Sequence, residues 1–451
     1  MPLSENERYP LISQSGKKLL KALHEHPSAP LFNHHVGDRI DSSALKSIYA
    51  FQADVLTRTP RWAHDQYPEW VAPFVKYCER EVPFYRQRKQ VLVPFADIPT
   101  TCRADFGQAP WLFVPDDQSI DDLIVYSTSG TTGHPVTILS LPIVSSMYVP
   151  LLRAALRTRG VEMMGGSGRV SIAQICCQKS TYTFAALSSV LGEAGNLKLN
   201  LNPSDWRMPD DRIRYFDAWA PEILTGDPIS FQQLASLPCA HHPKALISTS
   251  MTLLPGLQID LEKRFNCPIL DLYSMNETGP IAVGLPGADS FYQLLQPRLF
   301  IEILTPSGDP CPVGVRGEIT VTGGFNPLLP LLRYRTGDQA TLVYPFDSTT
   351  PALASIEGRP VTLFRDTAGQ VINNIDVTQL MRRFAIARFT LHQSTDGSLI
   401  LRLSPHAIPE NEIISALQSL FGADQRAVLG RIDTYEGKLI QYTSDIGLVP
   451  P

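Results

Sequence analysis

The sequence has few features of a secreted, membrane-spanning or nucleic-acid-binding protein. No apolar run in its 451 residues approaches the length of a membrane span, and the first residues lack the layout of a signal peptide. Its 7 cysteines form an odd, scattered set without a disulfide framework, which is typical of reduced thiols. A net charge of −5, with no Lys/Arg run longer than a pair, provides no basic surface. These absences predict a cytoplasmic protein without nucleic-acid or membrane partners.

The remaining composition predicts a large, soluble, multi-domain chain. Hydrophobic residues make up 43% and charged residues 18%, as in globular proteins, and the length suggests two or three domains. Strand-like and helical runs alternate between about residues 123 and 273, which is typical of an α/β sheet. After residue 291 the runs become strands separated by Pro/Gly turns, and after residue 358 a shorter mixed pattern begins. We therefore predict a large α/β domain over 1–357, with mixed or parallel sheets, flanking helices, a β-rich layer and a helical lead-in over 1–95. A small α+β domain should follow over 358–451.

Periodicity also predicts individual elements. Apolar residues at three- and four-residue steps predict a helix over 41–59, capped by Asp41, and another after Pro68. A strand over 170–176 should precede a helical segment over 184–191. The pair 388–392 and 399–403, joined through Asp396-Gly397, predicts a hairpin.

The segment 127–133 carries the densest chemical signal. Its residues are hydroxyl-bearing or glycine, namely Ser127, Thr128, Ser129, Gly130, Thr131, Thr132 and Gly133. An apolar strand pattern precedes it and an apolar helical pattern follows. Glycines allow close backbone approach, and the N–H groups and hydroxyls together suit phosphate oxygens. This segment alone predicts a phosphate-binding loop, and it occurs in too many protein classes to say more.

Three further motifs narrow the class of protein to which the phosphate loop could belong. They are Tyr273-Ser274-Met275-Asn276-Glu277-Thr278-Gly279, Arg333-Tyr334-Arg335-Thr336-Gly337-Asp338, and Gly358-Arg359 followed by a late Glu436-Gly437-Lys438. With the phosphate loop, and in the same order, they resemble the acyl-adenylate-forming ligase superfamily, which includes acyl-CoA synthetases, adenylation domains and luciferases. Val82-Pro83-Phe84-Tyr85-Arg86 and Ile98-Pro99-Thr100-Thr101 resemble signatures of its phenylacetate–CoA ligase branch.

The resemblance implies an ATP-dependent enzyme that converts a small, aromatic carboxylic acid into an acyl-AMP. The loop over 127–133 would hold the β- and γ-phosphates, Tyr273 would stack on adenine, and Asp338 would bind the ribose hydroxyls with Arg359 nearby. Glu277 would bind Mg²⁺, a hard cation that prefers oxygen ligands. The nucleotide site would also include Ser250, Ser274, Asn276 and Thr278.

The resemblance assigns catalytic roles to Lys438, Glu277 and Thr128. Lys438 would be delivered by a mobile C-terminal lid and would stabilise charge at the α-phosphate. The acyl group would then pass to the thiol of CoA or of carrier-protein phosphopantetheine. Tyr182, Phe184 and Gly226 are candidates for the acid pocket.

Alternatives remain open from the sequence alone. Asp338 is also a common turn residue after glycine, Glu277 could serve as an acid at a helix start, and Lys438 could be a solvated turn residue. The chain has His134 where the family usually has Lys, and its pocket stretch over 182–191 lacks the family's glycines. An enzyme that uses an amine or another non-thiol nucleophile, or a nucleotide-binding protein without turnover, therefore stays possible.

Overall fold

The protein is described by a computed structural model that covers residues 3–88, 94–127, 137–178, 181–287, 291–357, 362–369, 371–381, 383–432 and 440–446. The helices are α1 (Glu5–Arg8), α2 (Gln14–Glu25), α3 (Ser42–Thr57), α4 (Val71–Glu81), α5 (Pro83–Gln87), α6 (Arg103–Gln108), α7 (Pro142–Ser146), α8 (Tyr148–Arg157), α9 (Asp211–Trp219), α10 (Pro228–Ala235), α11 (Pro255–Phe265), α12 (Asn374–Met381) and α13 (Glu410–Phe421). Short 3-10 turns cover Phe95–Asp97, Pro110–Phe113, Ser189–Leu191 and Pro203–Asp205.

The strands before residue 358 are β1 (Ile124–Ser127), β2 (Thr137–Ser140), β3 (Val170–Cys176), β4 (Phe184–Ser188), β5 (Ala194–Asn200), β6 (Ile223–Gly226), β7 (Ala245–Ser248), β8 (Ile269–Met275), β9 (Gly279–Gly284), β10 (Phe291–Leu294), β11 (Leu299–Leu304), β12 (Arg316–Gly323), β13 (Leu331–Val343) and β14 (Ala352–Glu357). Those after it are β15 (Leu363–Arg365), β16 (Val371–Asn373), β17 (Phe389–Gln393), β18 (Leu399–Leu403), β19 (Ala427–Arg431) and β20 (Tyr442–Ser444).

A 12-stranded mixed sheet organises the described part of residues 1–357. Its order is β11-β12-β13-β14-β10-β9-β8-β7-β6-β3-β5-β4. Strands β8, β7, β6, β3 and β5 run parallel, whereas β9 joins β8 antiparallel and begins the β-rich half. Strand β8 is therefore where the parallel half meets the antiparallel half. In parallel sheets ligands bind beyond the carboxyl ends of the strands, so this junction is a natural position for a site.

Helices α3 and α4 form where the sequence predicts them, because each has a start signal in the sequence and an apolar face that is buried. In α3 the Asp41 carboxylate accepts a hydrogen bond from the Ala44 amide at 2.7 Å, and Ile48 and Val55 are buried. Helix α4 begins three residues after Pro68 and buries Val71. Between residues 3 and 88 the described elements are the helices α1 to α5.

Apolar clusters lie on both faces of the parallel half and beneath the β-rich half. One face packs against α2, α9, α10 and α11, and the other against α3 and α8. A separate cluster fills the β-rich half and includes Tyr85, Phe113 and Tyr334. These clusters fix the sheet on which the candidate residues stand and confirm the predicted large α/β fold.

Three predicted elements are wrong in detail. Segment 184–191 is not helical: β4 and a 3-10 turn form there, because β4 pairs antiparallel with β5 at the sheet edge. The segment after the phosphate loop begins as strand β2, paired with β1, and its helix starts only at Pro142. The alternation of strands and turns predicted after residue 291 fails at the motif over 333–338, which lies within strand β13.

The described residues beyond 361 form their own four-stranded sheet, in the order β19-β18-β17-β20, with α12 and α13. The predicted hairpin of β17 and β18 is confirmed, with Gln393 opposite Leu399. The apolar side chains of this region form a cluster of their own, joined by Leu254 from the loop before α11. None of the helices built from described residues is long and apolar enough to cross a membrane.

Candidate active site

The candidate site forms where β8 ends and a bulge of β13 faces it. On β12 a single residue separates Glu318 and Thr320, whereas on β13 three residues separate their partners Gln339 and Arg335. The extra residues are accommodated because Gly337 adopts a positive φ of 82°, which costs glycine little. The bulge turns Asp338 toward Tyr273, and it explains why a Gly-Asp pair that resembles a turn stands inside a strand.

Asp338 and Tyr273 are joined by a hydrogen bond. The Tyr273 hydroxyl donates to Asp338 Oδ2 at 2.8 Å, although 65 residues separate them. Burial and the adjacent carboxylate raise the pKa of Tyr273 well above its ordinary value. The phenol therefore stays protonated at neutral pH and remains a donor that orients the Asp338 carboxylate.

The bulge itself is held by its neighbours. The Asp338 amide donates to Thr336 Oγ1 at 3.1 Å, and the Thr336 hydroxyl donates to the Ile319 carbonyl at 2.8 Å. The Gly337 amide donates to Glu318 Oε1 at 3.0 Å. These three hydrogen bonds pair polar groups of the bulge and so fix its backbone conformation.

Glu277 is a buried carboxylate with a polar partner on β13. Only 5% of the residue is exposed, and its Oε1 accepts a hydrogen bond from the Tyr334 hydroxyl at 3.1 Å. Arg103 on α6 approaches the same oxygen, with Nη1 at 4.0 Å. Burial, followed by the charge of Glu277, raises the pKa of Tyr334 well above its ordinary value. This phenol too stays a donor at neutral pH.

Strand β13 is fixed against the segment around Thr101. The Thr101 amide donates to the Arg333 carbonyl at 3.0 Å, and the Arg335 amide donates to the Thr101 carbonyl at 2.8 Å. The Tyr85 hydroxyl donates to the Pro330 carbonyl at 3.2 Å. Two short signatures noted near the amino terminus thus support the strand that carries Asp338.

The other predicted nucleotide residues lie near the end of β8 or on the adjacent loop. Ser274 is half-buried, Asn276 is exposed, and the Thr278 carbonyl accepts a hydrogen bond from Gln296 Nε2 at 2.7 Å. Ser250 is exposed on the loop after β7 with a left-handed φ of 71°. A strained, exposed residue beside the carboxyl end of a strand is consistent with a functional loop.

Several predicted site residues lie outside the described residues. Ser127 ends β1, where it pairs with Thr137. Residues 128–136, which contain the rest of the phosphate loop from Thr128 to Gly133, are not described, and neither are Arg359 and Lys438. Their roles stay predictions.

The three predicted pocket residues are not neighbours. Gly226 ends β6, and a Cβ there would lie 2.8 Å from the Ile175 carbonyl oxygen, so close packing alone explains the glycine. Tyr182 and Phe184 lie at β4, three strands away in the sheet order, with their rings parallel and 6.3 Å apart. Whether they contact an acid stays a prediction.

Sequence reasoning missed Tyr334 and Arg103. Tyr334 stands inside a motif in which only Asp338 was assigned a role, and its alternation with Arg333 and Arg335 along a strand was available as a signal. Arg103 has no such signal, because a lone arginine on a short helix is common. Only the packing of α6 beside β13 brings it to Glu277.

Comparisons with known proteins bear on the fold. No protein-family profile matches the chain. The curated protein CapK of Staphylococcus aureus is 27% identical over 220 residues, which is 46% of this chain and 47% of CapK. The match thus spans about half the length of that relative.

The solved structures that resemble this chain include those of 2-hydroxyisobutyryl-CoA ligase. Its postadenylation state, in complex with 2-HIB-AMP, superposes with a TM-score of 0.64 and 15% identity, over 86% of this chain and 91% of that one. An open conformation in complex with 2-HIB-AMP and CoA gives a TM-score of 0.54 and 16% identity, over 82% and 89% of the two chains. The chain therefore has the fold of the acyl-adenylate-forming ligases, as the order of its motifs predicts.

Proposed function

We propose that the protein is an ATP- and Mg²⁺-dependent ligase for a small, aromatic carboxylic acid. It forms an acyl-AMP with release of pyrophosphate, and it then passes the acyl group to the thiol of CoA or of carrier-protein phosphopantetheine. The observation that carries the proposal is the hydrogen-bonded pair of Tyr273 and Asp338 next to the buried Glu277, on a fold shared with a CoA ligase solved with an acyl-AMP.

The adenosine half of ATP would use Tyr273 and Asp338. An ionised carboxylate accepts charge-assisted hydrogen bonds from two ribose hydroxyls. One Asp338 oxygen already accepts from Tyr273, which holds the carboxylate in a single orientation before the nucleotide arrives. Such preorganisation lowers the entropy cost of binding. The half-buried ring of Tyr273 offers a face for the adenine.

Glu277 fits the proposed Mg²⁺. Its Oε1 is engaged by Tyr334 and approached by Arg103, which leaves Oε2 as a hard oxygen ligand. Mg²⁺ is commonly held by one or two carboxylates together with substrate phosphates, and when bound it would neutralise the triphosphate. Arg103, at the edge of the same carboxylate, would add a fixed positive charge near the phosphates.

The chemistry would bring two anions together, the acid and the α-phosphate. Lys438 is the proposed counter-charge in that step, and Thr128 and the rest of the loop over 127–133 would hold the departing pyrophosphate. The C-terminal residues 358–451 would form the lid that delivers Lys438. A thiol would then attack the activated carbonyl carbon and displace AMP.

The proposal is tested by pyrophosphate release from ATP and Mg²⁺ with aromatic and aliphatic acids, with and without CoA. We expect acid-dependent release and, with CoA, a thioester detected by mass spectrometry. AMP release without any thioester would overturn the thiol step and favour an amine or another nucleophile. ATP binding without release for any acid would favour a nucleotide-binding protein without turnover.

Variants separate chemistry from folding. Lys438→Ala should lower pyrophosphate release about 100-fold or more while ATP still binds, since loss of one charge-stabilising donor has this effect. Lys46→Ala, an exposed lysine on α3, is the matched control and should behave as wild type. Equal release by Lys438→Ala and wild type would show that the lysine is wrongly assigned.

A further inference from the structure

A buried lysine on the sheet has no acidic partner among the described residues. Lys198, on β5, is only 6% exposed, and its Nζ lies 3.3 Å from the centre of the Tyr182 ring. Within the described ranges no carboxylate lies at ion-pair distance from this ammonium group. Lysines are almost never this buried unless they are paired, because an unpaired ammonium loses its hydration. The ring compensates only in part.

One carboxylate in the neighbourhood of Lys198, that of Asp227, is already engaged. The charges of both Lys198 and Asp227 influence the Cys176 thiol, so all three groups lie in one neighbourhood. Asp227, however, caps α10, accepting hydrogen bonds from the Ser230 amide and hydroxyl, each at 2.9 Å. Its carboxylate is therefore used to hold the helix, and the ammonium is left for a ligand.

The lysine lies beside a part of the sheet face that is open to solvent. The register sets Lys198 beside Gln174 on β3, and Gln174 beside Thr225 on β6, so the three side chains share one face. Gln174 is exposed although β3 is an inner strand. An exposed side chain at such a position shows that this part of the face is open to solvent. We call the open part of the face beside Lys198 the cleft.

Tyr182 is held firmly as the wall of this cleft. The Asn33 side chain donates to the Thr181 carbonyl at 2.9 Å and accepts from the Thr183 amide at 2.8 Å. The His34 amide donates to the Thr183 carbonyl at 3.0 Å. Tyr182 as a residue nevertheless stays 48% exposed, so part of its side chain remains open beside the ammonium.

The cleft lies at the same edge of the sheet as Tyr273. Burial raises the pKa of Tyr126, and the nearby Tyr182 raises it further. Burial also raises the pKa of Tyr148, with Tyr126 and Glu277 adding to the rise. Each phenol is thus close enough to influence the next. Lys198, Gln174 and Thr225 each stand one or two residues before the carboxyl ends of the parallel strands β5, β3 and β6, and Tyr273 stands near the same end of β8. The cleft therefore lies at the edge of the sheet where the adenylate would form.

We propose that Lys198 binds a second carboxylate at the far end of the substrate, so that the enzyme activates one carboxylate of a dicarboxylic acid. This inference rests on the proposed function. A monocarboxylic acid of the same shape would leave the ammonium without an anionic partner. A site built around a polar substrate group discriminates strongly against the analogue that lacks it, and we expect at least about 100-fold in kcat/KM.

The test compares matched acids by pyrophosphate release: isophthalate against benzoate, and adipate against valerate. Wild type should prefer the dicarboxylate of at least one pair about 100-fold. Lys198→Met keeps the length of the side chain without its charge, and it should remove the preference mainly through a higher KM for the dicarboxylate. Lys198→Arg should retain part of the preference. Lys263→Met, an exposed lysine on α11, is the control and should match wild type.

Equal use of mono- and dicarboxylates by wild type would overturn the inference. So would a Lys198→Met variant that slows both acids of a pair equally, since that result indicates a structural lysine. Absence of pyrophosphate release with every acid would overturn the proposed function, and this inference with it. Acid-dependent release without a dicarboxylate preference overturns only the inference, so the two failures are distinguishable.

Discussion

Substitution of Tyr273 by Phe tests whether the Asp338 carboxylate is preorganised. The change removes only the hydroxyl that donates to Asp338 Oδ2 at 2.8 Å and keeps the ring that would stack on adenine. A hydrogen bond to a charged group contributes about 1.5–3 kcal/mol. Because the site is half-buried and water can partly replace the donor, we expect a loss near the lower value, about 1.5 kcal/mol of unfolding free energy.

The same substitution should weaken ATP binding. If a freely rotating Asp338 costs the nucleotide about 1.4 kcal/mol, the KM for ATP rises about tenfold, whereas kcat changes little because the carboxylate does not touch the reacting atoms. The measurements are urea unfolding curves and ATP titrations of pyrophosphate release. Phe in place of Tyr77 is the matched control, since this hydroxyl donates to Asp117 at 2.9 Å away from the site. Its KM for ATP should equal that of wild type.

Two outcomes would refute this reasoning. A Tyr273→Phe protein as stable as wild type would show that the hydrogen bond contributes nothing net. Lower stability with an unchanged KM for ATP would show that the orientation of Asp338 is not used by the nucleotide, and the assigned ribose contact would be wrong.

Two further predictions concern buried polar groups. Arg333→Met removes the guanidinium that pairs with Glu302, whose own pKa is raised by burial. Because the Arg333 side chain is only 2% exposed, the free energy of unfolding in urea should fall by about 3–5 kcal/mol. A fall below about 1 kcal/mol would contradict this prediction. Tyr344→Phe removes a buried hydroxyl that has no hydrogen-bond partner within the described ranges, so unfolding free energy should rise by about 1 kcal/mol. Burial raises the pKa of Tyr344 from 10 to about 12, so between pH 10 and 12 the unfolded state releases the phenol proton while the folded state keeps it, and the free energy of unfolding of wild type falls. The variant's advantage should therefore grow above pH 10; an advantage that shrinks there would contradict this assignment.

Local sequence signals predicted most elements of the parallel half. Strand β3 has the predicted bounds and helix α3 lies within the predicted ones, because short apolar runs and capped apolar periods each have one stable local solution. Segment 184–191 failed because its run of small and apolar residues suits a helix locally, and pairing with β5 decided otherwise. The strand character of residues 331–339 was hidden by Thr336-Gly337-Asp338, which has turn composition but forms a bulge.

The sequence predicted the residues of the candidate site better than the contacts between them. Tyr273, Glu277 and Asp338 were recognised from motif order, and the structure brings Tyr273 and Asp338 within hydrogen-bond distance. The roles of Tyr334 and Arg103 beside Glu277 were not foreseen, since they depend on the packing of β13 and α6. The isolation of Lys198 from acidic partners was equally invisible.

The sequence by itself determined the alternation of strands and helices, the caps and the identity of the nucleotide-site candidates, because each depends on residues within a few positions of one another. Only the tertiary structure decided which carboxylate meets which phenol, where a strand bulges, and which lysine is buried without a partner. Those outcomes depend on contacts between residues far apart in the chain, and the free energy of such contacts is set by burial and register that no local pattern records.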